Sequence, residues 1–109
     1  MLKLLFICSR NKCRSLTAEW VFRGTPEVAA KSAGTETQAR IKVTEGLLGW
    51  ADTIFCMEKK HVDRLRDKFP EAVRQKTVIC LNIPDDYAFM DPELVELIKG
   101  AVSEHVRLP

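Results

Sequence analysis

Residues 7–15 read ICSRNKCRS, and they come after six residues, MLKLLF, of which five are apolar. A short, almost uniformly apolar run that stops abruptly in polar residues has the pattern of a strand buried on both faces. The strand is therefore expected over 2–8. The quoted stretch is unusual in composition: two cysteines, two arginines, a lysine and an asparagine, with no acid to balance three cations. Like charges crowded into one loop repel one another and oppose compaction unless the loop holds an anion. SLTAEWVFRG (15–24) then predicts a helix, with Ser15 suited to the N-cap, Leu16, Trp20 and Val21 as its apolar cluster and Gly24 as its stop.

Further along the chain, strand and helix patterns keep alternating. EVAAKSAGT (27–35) contains a short strand closed by Ala33–Gly34, and 41–50 reads as a helix. ADTIFCM (51–57) is a strand, and 58–69 a helix with Val62, Leu65 and Phe69 on one face, ended by Pro70. TVICL (77–81) is the fourth strand. The last helix, 91–108, carries a stripe of Leu94, Val95, Ile98, Ala101 and Val102. Four alternations call for an α/β domain over 1–109, a four-stranded parallel sheet with helices on both faces and right-handed crossovers. Ligands of such sheets sit beyond the carboxyl ends of the strands, where the strand order reverses. The loop after the first strand ends there.

Composition sets the outer limits. A chain of 109 residues, 46% apolar and 29% charged, has the profile of one globular domain. A net charge of +2 gives no ground for a nucleic-acid or membrane-surface partner. The cations at 59, 60, 64, 66 and 68 alternate with Glu58, Asp63 and Asp67 as on a solvated helix face. No run approaches the roughly 18 apolar residues of a membrane span, and the N-terminus lacks the features of a secretory signal. Four cysteines in that setting are expected as thiols of a reducing cytoplasm. Cys56 and Cys80 read as core, as do Trp20 and Trp50. His61 and His105 lie on helices without partners at metal-ligand spacing and read as surface residues, so neither metal nor cofactor is expected.

The chemistry resides in the loop. A thiol of ordinary pKa, about 8.5, needs help to act as a nucleophile. A helix N-terminus and neighbouring cations supply it, because both favour the thiolate. Cys8 faces the helix opening at Ser15, with Arg10, Lys12 and Arg14 nearby. Backbone N–H groups of a tight loop over Ser9, Arg10, Asn11, Lys12 and Cys13 can converge on an anion, and the Arg14 guanidinium can grip two of its oxygens. The implied reaction is phosphoryl transfer through a cysteinyl-phosphate.

CSRNKCRSLTAEWVFR resembles the active-site signature of the low-molecular-weight protein tyrosine phosphatases, Cys-x-x-Asn-x-Cys-Arg-Ser-x-x-Ala-Glu, at Cys8, Asn11, Cys13, Arg14, Ser15, Ala18 and Glu19. SAGT (32–35) and WADTIFCMEKKHVDRL (50–65) extend the resemblance. It implies Cys8 as nucleophile, Arg14 as phosphate clamp, Ser15 as the group lowering the thiol pKa and Asn11 as the keeper of the loop shape. The substrate it implies is a phosphorylated protein or a small aryl phosphate. The family is usually longer, Arg10 replaces its glycine, and Lys12 replaces an apolar residue; a shorter rim and extra cations favour an acidic substrate surface.

Hydrolysis also needs a proton donor for the leaving oxygen. The resemblance places it in an Asp-Pro pair, and this chain has Asp91–Pro92. An aspartate before proline and an amphipathic run is, however, an N-cap with proline at the first helical position. NIPDDY (82–87) follows the fourth strand on the same sheet end as Cys8. Asp85 is the expected acid, one residue removed from Tyr87, with Asp86 as the alternative. Three other activities remain open: a thiol arsenate reductase, which would need two further cysteines on one flexible segment; a cysteine phosphocarrier, whose loops lack the arginine; and a non-catalytic anion-binding module. Cys13, which hydrolysis does not need, either packs under the loop or traps an oxidised Cys8 as a disulfide.

Overall fold

The computed structural model describes residues 1–108. Strands β1 (Leu2–Cys8), β2 (Val28–Gly34), β3 (Thr53–Cys56) and β4 (Thr77–Cys80) form one parallel sheet in the order β2-β1-β3-β4. Between and after them run α1 (Arg14–Arg23), α2 (Glu45–Trp50), α3 (Lys59–Lys68), α4 (Pro70–Arg74) and α5 (Pro92–Ser103). The chain leaves β1 toward β2 on one side and returns to place β3 on the other. The strand order therefore reverses at the carboxyl end of β1, where such sheets bind ligands.

Central position explains the apolar run that opens the chain. Leu4, Leu5, Phe6 and Ile7 are each 0% exposed because helices cover both sheet faces. Leu4, Phe6 and Cys8 pack with Ala18 and Phe22 of α1 and Leu94, Ile98 and Val102 of α5. Leu5 and Ile7 pack the other way, with Leu48 of α2, Val62 and Leu65 of α3 and Val73 of α4. Phe6 lies between the rings of Phe22 and Phe55, at 5.7 and 5.4 Å. Burying one such ring is worth about 1.5–3 kcal/mol.

Several boundaries differ from the sequence expectation. The helix expected over 41–50 begins only at Glu45, because Thr44 caps it by accepting from Leu47 N–H, and Lys42 bridges to Gly34. Pro70 ends the preceding helix and also starts the short α4, which the sequence pattern does not predict. The last helix stops at Ser103. Ser15 is not an N-cap: Cys13 holds that position without a side-chain bond, and Ser15 lies inside α1. Helix α1 also turns a different face inward, since Arg14, Ala18 and Phe22 are buried while Trp20 is 49% exposed, stacked under the Arg23 guanidinium. The helix must deliver Arg14 and Ser15 to the loop, and that rotation leaves Trp20 outside.

Candidate active site

Cys8 ends β1, and the loop 9–13 curls back over it before α1 begins. The curl is held from outside. The carbonyl of Cys8 accepts from Thr35 N–H, that of Ser9 from Glu36 N–H, that of Arg10 from Arg40 N–H, and that of Asn11 from the Arg40 side chain, at 2.9–3.2 Å. In a planar trans peptide the N–H points opposite to the carbonyl before it. The amides of residues 9–12 are thereby turned toward the space in front of Cys8. Asn11 takes the left-handed conformation that closes the loop, φ 60°, and its N–H reaches Cys8 Sγ at 3.2 Å. Gly34 makes the support possible: a Cβ there would lie 2.6 Å from Ser9 O.

A chain of hydrogen bonds leads to the sulfur and leaves Ser15 placed to donate to a thiolate. Asn11 Nδ2 donates to Ser15 Oγ at 2.7 Å. The Ser15 hydroxyl hydrogen is then free for Cys8 Sγ, 2.9 Å away. Two donors aimed at one sulfur suit a thiolate, the nucleophilic form. The first turn of α1 opens on the same space without a side-chain cap, an arrangement that an anion completes.

Arg14 is the largest fully buried polar side chain, 2% exposed. Its Nη1 donates to Glu58 and to Ile83 O at 2.8 Å. Two of its five N–H groups are thus committed, and those on Nε and Nη2 remain for an anion. Asp85 Oδ1 stands 3.8 Å from Nε. Hydrogen bonding from Arg14 holds the Glu58 carboxyl below the usual carboxylate range, against the opposing effect of its burial.

Glu58 and His61, read from the sequence as parts of a solvated helix face, belong to this site. His61 is 0% exposed. Glu58 and His61 form a reciprocal cap at the start of α3, with Glu58 N–H donating to His61 Nδ1 at 3.0 Å. His61 Nε2 lies 2.9 Å from Ser9 Oγ. Burial first, then the Arg14 charge, push the imidazole down to about 4. The sequence signal available was the Glu-x-x-His spacing immediately after a strand, which charge alternation disguised.

A cleft of about 380 Å³ opens in front of Cys8, lined by Ser9, Arg10, Lys12, Cys13, Arg14, Glu36, Lys60 and Asp85. All of the expected loop residues line it except Asn11 and Ser15, which lie beneath it, fully buried. Asp85 stands at the rim and Asp86 does not. Asp91 caps α5 by accepting from Glu93 N–H. Tyr87 packs against the core cluster of α1 and α5 and not into the cleft. Cys56 and Cys80, read from the sequence as core, lie in separate strands as register partners on β3 and β4. They pack on the sheet face opposite Cys8. Burial pushes the Cys56 thiol up to about 12. Among the described residues no cluster of His, Cys, Asp and Glu could hold a metal ion, and no helix is long and apolar enough to cross a membrane.

Residues 3–49 match the family described as low molecular weight phosphotyrosine protein phosphatase. The matched segment takes in the loop after β1, all of α1 and all of β2. No curated protein sequence matches it. Among solved structures, the tyrosine phosphatase Wzb of Escherichia coli K30, bound to phosphate, superposes with a TM-score of 0.75 at 26% identity, over 95% of this chain and 96% of that one. Wzb of Vibrio vulnificus, bound to benzylphosphonate, gives 0.76 at 26% identity, over 94% and 95%. The YwlE arginine phosphatase of Geobacillus stearothermophilus shares the fold at 23% identity and a TM-score of 0.64, over 95% and 85%. The low-molecular-weight phosphatase fold thus accommodates more than one phosphorylated residue type.

Proposed function

We propose that this protein is a low-molecular-weight phosphatase that hydrolyses aryl phosphomonoesters, phosphotyrosine in an acidic protein segment foremost, through a cysteinyl-phosphate. The observation that carries the proposal is the pair of donors on Cys8 Sγ inside a loop whose carbonyls from Cys8 to Asn11 are turned outward. The Cys8 thiolate attacks phosphorus, the bond to the leaving oxygen breaks, and Asp85 gives that oxygen its proton. Water then attacks the phosphocysteine, Asp85 takes a proton from it, and Cys8 departs as thiolate beside inorganic phosphate. The remaining Arg14 donors grip two phosphoryl oxygens as charge builds on them.

Substrate preference follows from the rim. Arg10, Lys12 and Lys60 outnumber Glu36 and Asp85 there, and Arg10 is partly offset by Glu36 at 3.6 Å. None of the residues lining the cleft is aromatic. Recognition of an aryl ring falls to the aliphatic stems of the lysines, with their ammonium heads free for acidic neighbours of the phosphoresidue. Those heads oppose a phosphorylated arginine, whose guanidinium carries like charge. The position of Cys56 and Cys80 on the sheet face away from Cys8 argues against a thiol relay, and so against arsenate reduction.

The test is turnover of p-nitrophenyl phosphate and of phosphotyrosine, phosphoserine and phosphoarginine peptides, with arsenate reduction measured in parallel. Cys8→Ser should abolish hydrolysis and retain phosphate binding. Hydrolysis that survives Cys8→Ser, or thiol-dependent arsenate reduction by the wild type, overturns the proposal.

A further inference from the structure

Ser9 and His61 have no role in the proton and phosphoryl transfers of hydrolysis, yet the structure joins them across 52 positions of sequence by a 2.9 Å contact. Their hydrogens can be assigned. A backbone N–H can only donate, so His61 Nδ1, which receives Glu58 N–H at 3.0 Å, carries no hydrogen. A neutral imidazole then holds its hydrogen on Nε2 and donates it to Ser9 Oγ. The Ser9 oxygen is occupied as an acceptor from behind, and its own hydrogen is left to donate. Ser9 lines the cleft in front of Cys8.

We propose that His61 is a positioning residue that fixes Ser9 as a hydroxyl donor to the bound phosphoryl group and ties the phosphate loop to the Glu58–Arg14 clamp. The proposal rests on the phosphatase assignment of the cleft and adds to it a ligand and its support. Through His61 the two halves of the site share one rigid corner. Ser9 belongs to the loop after β1, whereas Glu58, which holds Arg14, belongs to the corner between β3 and α3. The imidazole must be neutral for this, since a second hydrogen on Nδ1 would face Glu58 N–H donor to donor. Arg14 from α1, and Lys60 and Arg64 from α3, disfavour protonation, while Glu58 favours it less strongly than burial and Arg14 oppose it.

Two substitutions separate the cap from the link. In His61→Asn, Oδ1 can replace Nδ1 as acceptor for Glu58 N–H, but the side chain is too short to reach Ser9. In His61→Gln, the amide nitrogen can reach toward Ser9. The readout is the inhibition constant of inorganic phosphate, which needs no catalytic acid, beside kcat and KM for p-nitrophenyl phosphate. Ser9→Ala and His61→Asn should each weaken phosphate by about tenfold, the scale of one hydrogen bond to a charged group. The double variant should be no weaker than the worse single one, and His61→Gln should recover part of the loss. Losses that multiply in the double variant, or wild-type phosphate affinity in Ser9→Ala, overturn the proposal. Should the His61 variants not fold, proton–nitrogen correlation of the wild-type imidazole decides. The Nε2–H neutral tautomer at pH 7 is expected, and an Nδ1–H tautomer or a charged ring refutes the assignment. Binding and tautomer are read without turnover, so a chain that satisfies both yet hydrolyses nothing would defeat the proposed activity and leave this link standing.

Discussion

Gly34→Ala tests how the phosphate loop is supported. The added methyl would lie 2.6 Å from Ser9 O, 2.6 Å from Ala39 Cβ and 3.0 Å from the Arg10 carbonyl carbon, where ordinary contacts begin at 3.4 Å. Ser9 O cannot retreat freely, because it is bonded to Glu36 N–H at 3.0 Å. The loop must therefore shift by roughly 0.8 Å or the 35–40 segment must detach. Overpacking of this kind costs about 1–3 kcal/mol, which for a domain of this size lowers Tm by about 4–8 °C per kcal/mol. Displacing catalytic groups by about 1 Å can cost some 10²-fold in rate. The assay is kcat/KM for p-nitrophenyl phosphate, the inhibition constant of phosphate, and a thermal melt. Gly100→Ala is the control: it lies in α5 with nothing within 4 Å of the new methyl and should stabilise by about 0.5–1 kcal/mol. A Gly34→Ala protein that melts like wild type with kcat/KM within threefold would refute the supporting role of this contact.

Asp85→Asn should slow hydrolysis of esters with poor leaving groups by about 10²–10⁴-fold, and that of good ones far less; the same pattern from Asp86→Asn instead would transfer the role of acid. Acid should destabilise the fold through His61 first. Its pKa is lowered from 6.5 to about 4, so the unfolded chain takes up a proton that the folded one refuses. Stability is full above pH 6.5 and lost as pH falls toward 4, by about 3 kcal/mol at most. Glu58, also lowered, contributes stability above its ordinary range that disappears below it, in the same direction. Urea midpoints at pH 7 and 5 should differ more for wild type than for His61→Asn, and equal differences would refute the cause. Mild peroxide should inactivate the enzyme, phosphate should protect it, and dithiothreitol should restore it. Cys13→Ser should make the loss largely irreversible, with peptide mapping of the oxidised wild type showing Cys8 joined to Cys13; Cys8 joined elsewhere would count against Cys13 as the trap.

Local pattern alone determined most of the architecture. The run Leu4–Ile7 read as a strand buried on both faces, and it is one, each residue 0% exposed, while ICSRNKCRS read as a strand that turns into a cationic loop before a helix, as it does. Asp91 was legible as a cap because capping is decided within a few residues of the chain. The tertiary structure decided the rest, wherever a residue's environment comes from distant sequence. His61 and Glu58 sit among lysines and looked solvated; they are at the site because β3 lies beside β1, which places the start of α3 against Ser9 and Arg14. Helix α1 turned Trp20 outward because Arg14 had to point in. Cys56 and Cys80 became neighbours through strand register, and the sheet between them and Cys8 separates them from the cleft. A pattern of periodicity records which residues are buried, but it carries no information about which buried residues meet, because that depends on strand order.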